Sequence, residues 1–366
     1  MIHDRYLSEL LKEETTGSSV VSLYFTVPDH PAALPALATH LASLAQLTDP
    51  TLGQSTEEAI RRAVEDSKGD HGGVVLFVTD SAGHSKRLAL ASHPPESVHV
   101  GVRPYLRPLV AILHRSMPYC LAVFDDARAW IGVNADGRLV EVATVRDEVM
   151  RASNFGDWHG LAEHRVHGHA RMLRHRHLRH VAQLIEETMH DHDATVVVLG
   201  GHAHDLPLLM ALLPATVQQA VAGHIVADPA TMNASKVRSD ADEVIAHWRA
   251  ATDARLAVQV LDQAAAGAHA VMGVAACLAA AGEGAIRQLL VEEGPGLPGA
   301  VCHNCATVFP EGPTCCPVCL GAVHPVPDVL EEAVVTVLRR GGEVIPLPPY
   351  LLEGAHMAAR LRRPAK

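Results

Sequence analysis

The pairs Cys302-His-Asn-Cys305 and Cys316-Pro-Val-Cys319 are the residues whose types and spacing most directly imply chemistry. Each C-x2-C knuckle can turn two thiolates toward one tetrahedral ion. Ten residues separate the pairs, and Gly312, Pro313 and Pro317 supply turns. Four thiolates close the coordination sphere and leave no position for water, so the expectation is structural Zn²⁺. Cys315 is left out of the set because it would lengthen the second knuckle. A redox role for the same thiols would require them to be metal-free and close enough to pair. The remaining cysteines, Cys120 and Cys277, lie in apolar segments. The usage is metal spacing and not a secreted disulfide framework.

A second stretch concentrates positive charge in a chain of formal net charge -11. From Arg151 to His180, Arg151, Arg165, Arg171, Arg174, Arg176 and Arg179 face only Asp157 and Glu163, with His159, His164, His167, His169, His175, His177 and His180 among them. Asp157–Gln183 reads as a loop running into a helix. Its apolar stripe, Leu178, Val181, Ile185 and Met189, becomes Arg174 and Arg171 when carried back toward the N-terminus. One half of the helix is thus expected on a core and the other half over something polar. An arginine-rich projection on an acidic body points to RNA or phosphate; the alternative is a solvated helix face. The clusters His190-Asp191-His192-Asp193 and His202-Ala203-His204-Asp205 flank a predicted strand, Thr195–Leu199, at opposite ends, so they are not expected to share an ion. No positioned Ser or Cys nucleophile accompanies them.

The elements that must hold these residues suggest three α/β domains. At 366 residues with 48 % apolar and 19 % charged content, the chain can bury several cores. The N-terminus carries charge throughout, and no apolar run reaches the roughly 18–20 residues needed to span a bilayer. The expectation is a cytoplasmic protein with no membrane or DNA partner. Net acidity disfavours nonspecific nucleic-acid coating, so RNA contact must come from local patches. The 25 histidines make the charge sensitive to acidification. Residues 1–117 alternate strands (Ser19–Val27, Gly73–Thr79, Arg87–Ala91) with helices (Ala32–Leu47, Thr56–Ser67) and end in a Pro-containing connection, Val102–Met117. Residues 118–251 open with three short strands, continue through the arginine-rich helix and the strand Thr195–Leu199, and include a helix capped by Asn233 or Ser235. Residues 252–366 carry helices Leu256–Ala266, Gly273–Ala281 and Val329–Arg339, strands Ile286–Glu292 and Glu343–Leu347, the cysteine insertion at 300–322, and a basic tail from His356 expected to be frayed.

The run Gly273-Val274-Ala275-Ala276-Cys277-Leu278-Ala279-Ala280, continuing through Gly284-Ala285-Ile286 and Leu289-Leu290-Val291, resembles a helix–strand run in the third domain of archaeal/eukaryotic class-1 peptide release factors. The opening hairpins, long helix and Gly201-x-Ala203 of the middle segment are similar to that family too. The opening strand VVSLYF after a short helix is similar to the N-terminal domain of the family's bacterial relatives, which include the Balon-type ribosome hibernation factors and which this chain resembles in particular. The resemblance implies a release-factor-like fold whose third domain is an L7Ae-like α/β sandwich with a zinc-knuckle insertion. It also implies a cytoplasmic translation factor in the aminoacyl-tRNA site, with Arg165, Arg171, Arg174, Arg176 and Arg179 on rRNA and an EF-Tu-like GTPase as partner. Aligning Leu178-Arg179-His180-Val181-Ala182 on the family helix puts His159-Gly160-Leu161 where release factors carry the hydrolytic Gly-Gly-Gln. That tripeptide occurs nowhere in this chain, nor does the codon-reading Asn-Ile-Lys-Ser. Leucine cannot orient water by hydrogen bonding, so a hibernation-like binding role is expected. The alternatives are a rescue factor hydrolysing peptidyl-tRNA with His159, His167 or His169, and an RNA-binding protein acting off the ribosome.

Overall fold

The computed structural model describes residues 7, 9–12, 19–68, 72–79, 85–90, 92–135, 137–147 and 160–362, with side chains in the helix from Gly160 described from 167 onward. Two compact units form, Met1–Arg115 together with Asp253–Lys366, and Ser116–Thr252.

In the first unit, strand β1 (Val20–Thr26) leads to helices α1 (Leu34–Thr48) and α2 (Gln54–Glu65). Strands β2 (Gly73–Thr79), β3 (Ser85–Leu90) and β4 (Ser97–Gly101) complete an antiparallel sheet of order β3-β2-β1-β4. VVSLYFT and GVVLFVT are mostly apolar because both faces of this sheet are covered, with Ser22 buried through the backbone N–H of Tyr105 that it accepts. Alternate side chains of β1 point opposite ways. Val21, Leu23 and Phe25 pack with Leu41 and Ile60 of the helices, whereas Val20 and Tyr24 share a core with Leu278 and Leu330 from the C-terminal part of the chain. Helix α3 (Arg107–Arg115) occupies part of what the sequence presents as a connection. Pro104 and Pro108 hide it, yet Pro108 lies in the first turn, where a missing N–H costs nothing.

The second unit holds strands β5 (Tyr119–Phe124), β6 (Arg128–Ala135) and β7 (Arg138–Arg146), then helix α4 (Gly160–Asp191). It continues with β8 (Val196–Gly200), the short helices α5 (Leu206–Met210) and α6 (Ala215–Gln219), and β9 (Val221–Ile225). The sheet order is β7-β6-β5-β8-β9, an antiparallel meander continued by parallel pairs. One face, with Cys120, Ala122 and Phe124, receives Leu178, Val181, Ala182 and Ile185 of α4. The other, with Tyr119, Leu121 and Val123, receives Val237, Ala241 and Ile245 of helix α7 (Ala234–Ala265). Asn233 Oδ1 accepts the backbone N–H groups of Ser235 and Lys236, which places the start of α7. The sequence suggests two helices around Asp253; the structure has one continuous helix, because no Gly or Pro interrupts 234–265.

Returning to the first unit, β10 (Ala270–Met272), α8 (Val274–Gly282) and β11 (Ile286–Glu292) are followed by β12 (Gly299–Cys302), β13 (Val308–Phe309) and β14 (Val323–Val326). Helix α9 (Val329–Arg339), β15 (Glu343–Leu347) and β16 (Met357–Leu361) close the chain's described part. A sheet of order β10-β16-β11-β15 carries α8 and α9, and β12–β14 form a small sheet of their own. The frayed tail expected from His356 onward is corrected here. Met357–Leu361 is an interior strand, and Met357, Ala358 and Ala359 are wholly buried. Arg360 reaches Gln259, Gln263 and Gln288, and Arg362 reaches the carbonyl of Ile286. A five-residue Ala-rich strand has no legible period; pairing with β10 and β11 makes it one.

Candidate functional sites

The four knuckle cysteines meet. The Sγ atoms of Cys302, Cys305, Cys316 and Cys319 all lie within 4.8 Å of one another, with Cys302–Cys319 at 3.4 Å and Cys305–Cys316 at 3.5 Å. Tetrahedral Zn–S bonds of about 2.3 Å require edges of about 3.8 Å, so the donor set fits such an ion. Backbone turns build the site twice over. Ala306 N donates to Cys302 O and Leu320 N to Cys316 O, and both residues take positive φ, 56° and 59°. Gly321 is required by close approach, since a Cβ there would lie 3.3 Å from Cys319 Sγ and 3.0 Å from the Asn304 Cβ. Thr307 lowers the Cys305 thiol to about 6 through its hydrogen bonds, which favours the thiolate a metal binds. Cys315 stays exposed outside the cluster. The histidine clusters gather no comparable set. The rings of His202 and His204 stack at 5.8 Å, and among the described residues only the four cysteines could hold a metal.

Helix α4 has two characters along its length. Leu178, Val181, Ala182 and Ile185 are buried on the sheet, while Arg171, His175, Arg176 and Arg179 are exposed. His167, Gly168 and His169 are exposed as well. At the point where the apolar stripe ends, Arg174 Nε lies 2.7 Å from Asp126 Oδ1, and the same guanidinium pairs with Asp205. One turn on, buried His177 holds Asp147 Oδ2 through Nδ1 at 2.7 Å, and His180 Nδ1 is 3.5 Å from the same oxygen. Arg174 and His177 thus form a polar collar that ties the helix to the turn after β5, to the residue after β7 and to the start of α5. The arginine expected to continue the RNA-facing stripe at 174 is directed instead at two carboxylates of its own fold. Asp205 stands in the sequence only as part of a histidine cluster, and nothing there marks it or Asp126 as a partner of Arg174. Of the tip residues, His159 lies outside the described residues, and Gly160 and Leu161 lie in the first turn of α4. The Arg165 side chain is likewise outside the described set.

The hydrogen bond from His177 holds the Asp147 carboxyl below the usual carboxylate range. A carboxylate lowered in the fold contributes stability above its ordinary pKa and loses it as pH falls through the lowered value. Asp147→Asn is therefore expected to melt below the parent protein at pH 7, with the gap closing toward pH 3. Melting curves across that range test it, and a constant gap would assign the loss to packing instead.

Residues 104–266 match the family model of bacterial archaeo-eukaryotic release factor family 10. That match bears out the resemblance read from the sequence, and the matched segment contains α3, the whole of the second unit and α7. Among solved structures, the archaeal translation termination factor aRF1 is similar at 16 % identity over 99 % of this chain and 97 % of that one, with a TM-score of 0.28. Ribosome-bound archaeal Pelota gives 15 % identity, 99 % and 95 % coverage and a TM-score of 0.43. Dom34 of S. cerevisiae, described as a translation termination-like factor interacting with Hbs1, gives 11 % identity, 80 % and 79 % coverage and a TM-score of 0.43. Comparison with curated proteins gives no match. No described helix is long and apolar enough to cross a membrane.

Proposed function

We propose that this protein is a ribosome-binding translation factor that occupies the aminoacyl-tRNA site, in the manner of a hibernation factor, and does not hydrolyse peptidyl-tRNA. The observation that carries the reading is α4: within the matched segment it presents Arg171, Arg176 and Arg179 to solvent while Leu178, Val181 and Ile185 fix it to the sheet. Guanidinium groups on a rigid helix suit rRNA phosphates, to which they bind bidentately. The lack of any Gly-Gly-Gln in the sequence supports binding over hydrolysis. Arg165 belongs to the same proposed RNA surface. Arg174 contributes to it by orienting the helix. An EF-Tu-like translational GTPase is the proposed partner for delivery, and Zn²⁺ on Cys302, Cys305, Cys316 and Cys319 is the proposed structural metal.

The test is co-sedimentation with vacant 70S ribosomes at low and high salt, with and without tRNA in the aminoacyl site. Salt-sensitive binding that tRNA abolishes is the expected result. No binding, even with the GTPase present, would remove the proposal. Charge reversal in Arg171→Glu/Arg179→Glu is expected to weaken binding at least tenfold and to flatten its salt dependence, since two phosphate contacts carry a slope of roughly -2 in log–log terms for duplex nucleic acid. Arg174→Ala should instead lower the melting temperature. Equal affinity in the charge-reversed protein would mean that the exposed face is merely solvated.

A further inference from the structure

Within the first unit, β4 forms one edge of its sheet, beside β1. In antiparallel pairing each residue turns both backbone groups to the same side, and the side alternates along the strand. Val27 N donates to Gly72 O at 2.9 Å, in register with the β1–β2 pairs, so odd-numbered residues of β1 bond β2 and even-numbered ones bond β4. Ser22 lies opposite His99, hence Ser97, His99 and Gly101 turn their N–H and C=O groups inward to β1. Val98 and Val100 turn theirs outward. Those four backbone groups have no hydrogen-bond partner among the described residues.

The free side of β4 borders a cavity of about 410 Å³, lined by Val98, Val100, Pro325 and Val326 among others. Its far wall is β14, itself an edge strand. His303 N donates to Ala322 O at 3.0 Å, and the same alternation turns Pro325 outward, where it offers a carbonyl and no N–H. As a pairing edge β14 is therefore blunted. The opposite edge of the first sheet, β3, carries Lys86 and Arg87, charges of the kind that keep an edge from pairing. Strand β4, Ser97-Val98-His99-Val100-Gly101, has no such guard, and burial keeps His99 neutral by lowering its pKa to about 4. Charged groups around the cavity are matched among themselves, Arg103 with Glu332 at 2.6 Å and Arg107 with Asp328. Glu331 accepts the backbone N–H groups of Leu106 and Arg107. A charged occupant would break one of these pairs, so the complementary occupant is uncharged.

We propose that β4 receives an extended, uncharged segment of a partner protein, which adds to the sheet as a fifth strand beside the cavity. Its backbone pairs with the outward N–H and C=O groups of Val98 and Val100, and alternate side chains meet the valine and proline walls. Main-chain bonds supply the affinity, while the apolar walls favour β-branched residues at every second position. Strand β4 is 5 residues long, which sets the paired segment at a similar length.

The test is fluorescence anisotropy of a labelled Thr-Val-Thr-Val-Thr peptide titrated with the full-length protein. Thr-Pro-Pro-Pro-Thr, whose central residues have no N–H to donate, is the control. Saturable binding of the first peptide and none of the second is expected. Val100→Pro removes one outward N–H and leaves the bonds to β1 in place, and it should weaken the peptide about tenfold. Amide exchange resolved by NMR gives a readout on the unaltered protein, which keeps the test valid if Val100→Pro folds poorly. On peptide binding the Val98 and Val100 amides should slow about tenfold, while that of His99, already bonded to β1, stays as it was. No saturable Thr-Val-Thr-Val-Thr binding, equal binding of the proline peptide, or Val98 and Val100 amides that do not slow would each overturn the proposal. A concentration-dependent dimer that Val100→Pro dissolves would assign the edge to a second copy of this chain and overturn it too.

Discussion

Asp328→Ala will destabilise the first unit by about 3–5 kcal/mol, the range for removing one partner of a buried ion pair. Arg107 and Asp328 are both nearly inaccessible, and they join segments 221 residues apart in the chain. Asp328 also accepts Leu330 N as the N-cap of α9, Leu297 N, and the Tyr105 hydroxyl at 2.6 Å. Glu331 of α9 in turn caps α3 by accepting Leu106 N at 2.8 Å and Arg107 N at 2.9 Å. The N-terminus of α3 is therefore satisfied from α9, and that of α9 by its own Asp328, which Arg107 and Tyr105 also hold, so removing Asp328 strands several donors at once. For a unit of this size the melting temperature should fall on the order of 10 °C. Adding Arg107→Met to Asp328→Ala should recover part of that loss, because the uncompensated guanidinium goes with it. If the double variant melts lower than Asp328→Ala alone, Arg107 is held by packing and not by its charge partner.

Cys316→Ser should abolish metal retention and unfold the β12–β14 module, the second large effect. Cys316 is the most buried of the four ligand positions, and apparent binding free energies for structural Zn²⁺ are about 10–16 kcal/mol. The module's sheet is short, with β13 only two residues long, so its apolar burial alone cannot replace that stabilisation. The parent protein is expected to contain one zinc per chain by elemental analysis, and Cys316→Ser none. Limited proteolysis of the variant should cut within 300–322 while β11, β15 and β16 stay protected in their separate sheet. Cys315→Ser, at the exposed thiol outside the cluster, should keep its zinc. A parent protein free of zinc, or a Cys316→Ser protein that retains it, would falsify the structural-metal assignment.

The sequence by itself determined the features whose signal is local. The C-x2-C spacing carries the metal cluster because four donors on two tight knuckles need only short-range turns to converge. Apolar runs such as Gly73–Thr79 and Ile286–Glu292 appear as strands at the bounds their composition suggests, and the stripe Leu178, Val181, Ile185 is the buried face of α4. Tertiary structure decided whatever depends on distant partners. Arg174 looks like Arg171 in the sequence; only Asp126 and Asp205, brought up by a turn and by the segment after β8, make it an internal anchor. Met357–Leu361 looks like a basic tail and becomes an interior strand because β10 and β11 supply the hydrogen bonds on both sides. Helix α3 is masked by its prolines until Glu331, more than two hundred residues later, caps it. Short-range geometry is written in spacing, whereas the assignment of a charge or a short strand follows from which carboxylate or strand edge the fold delivers to it.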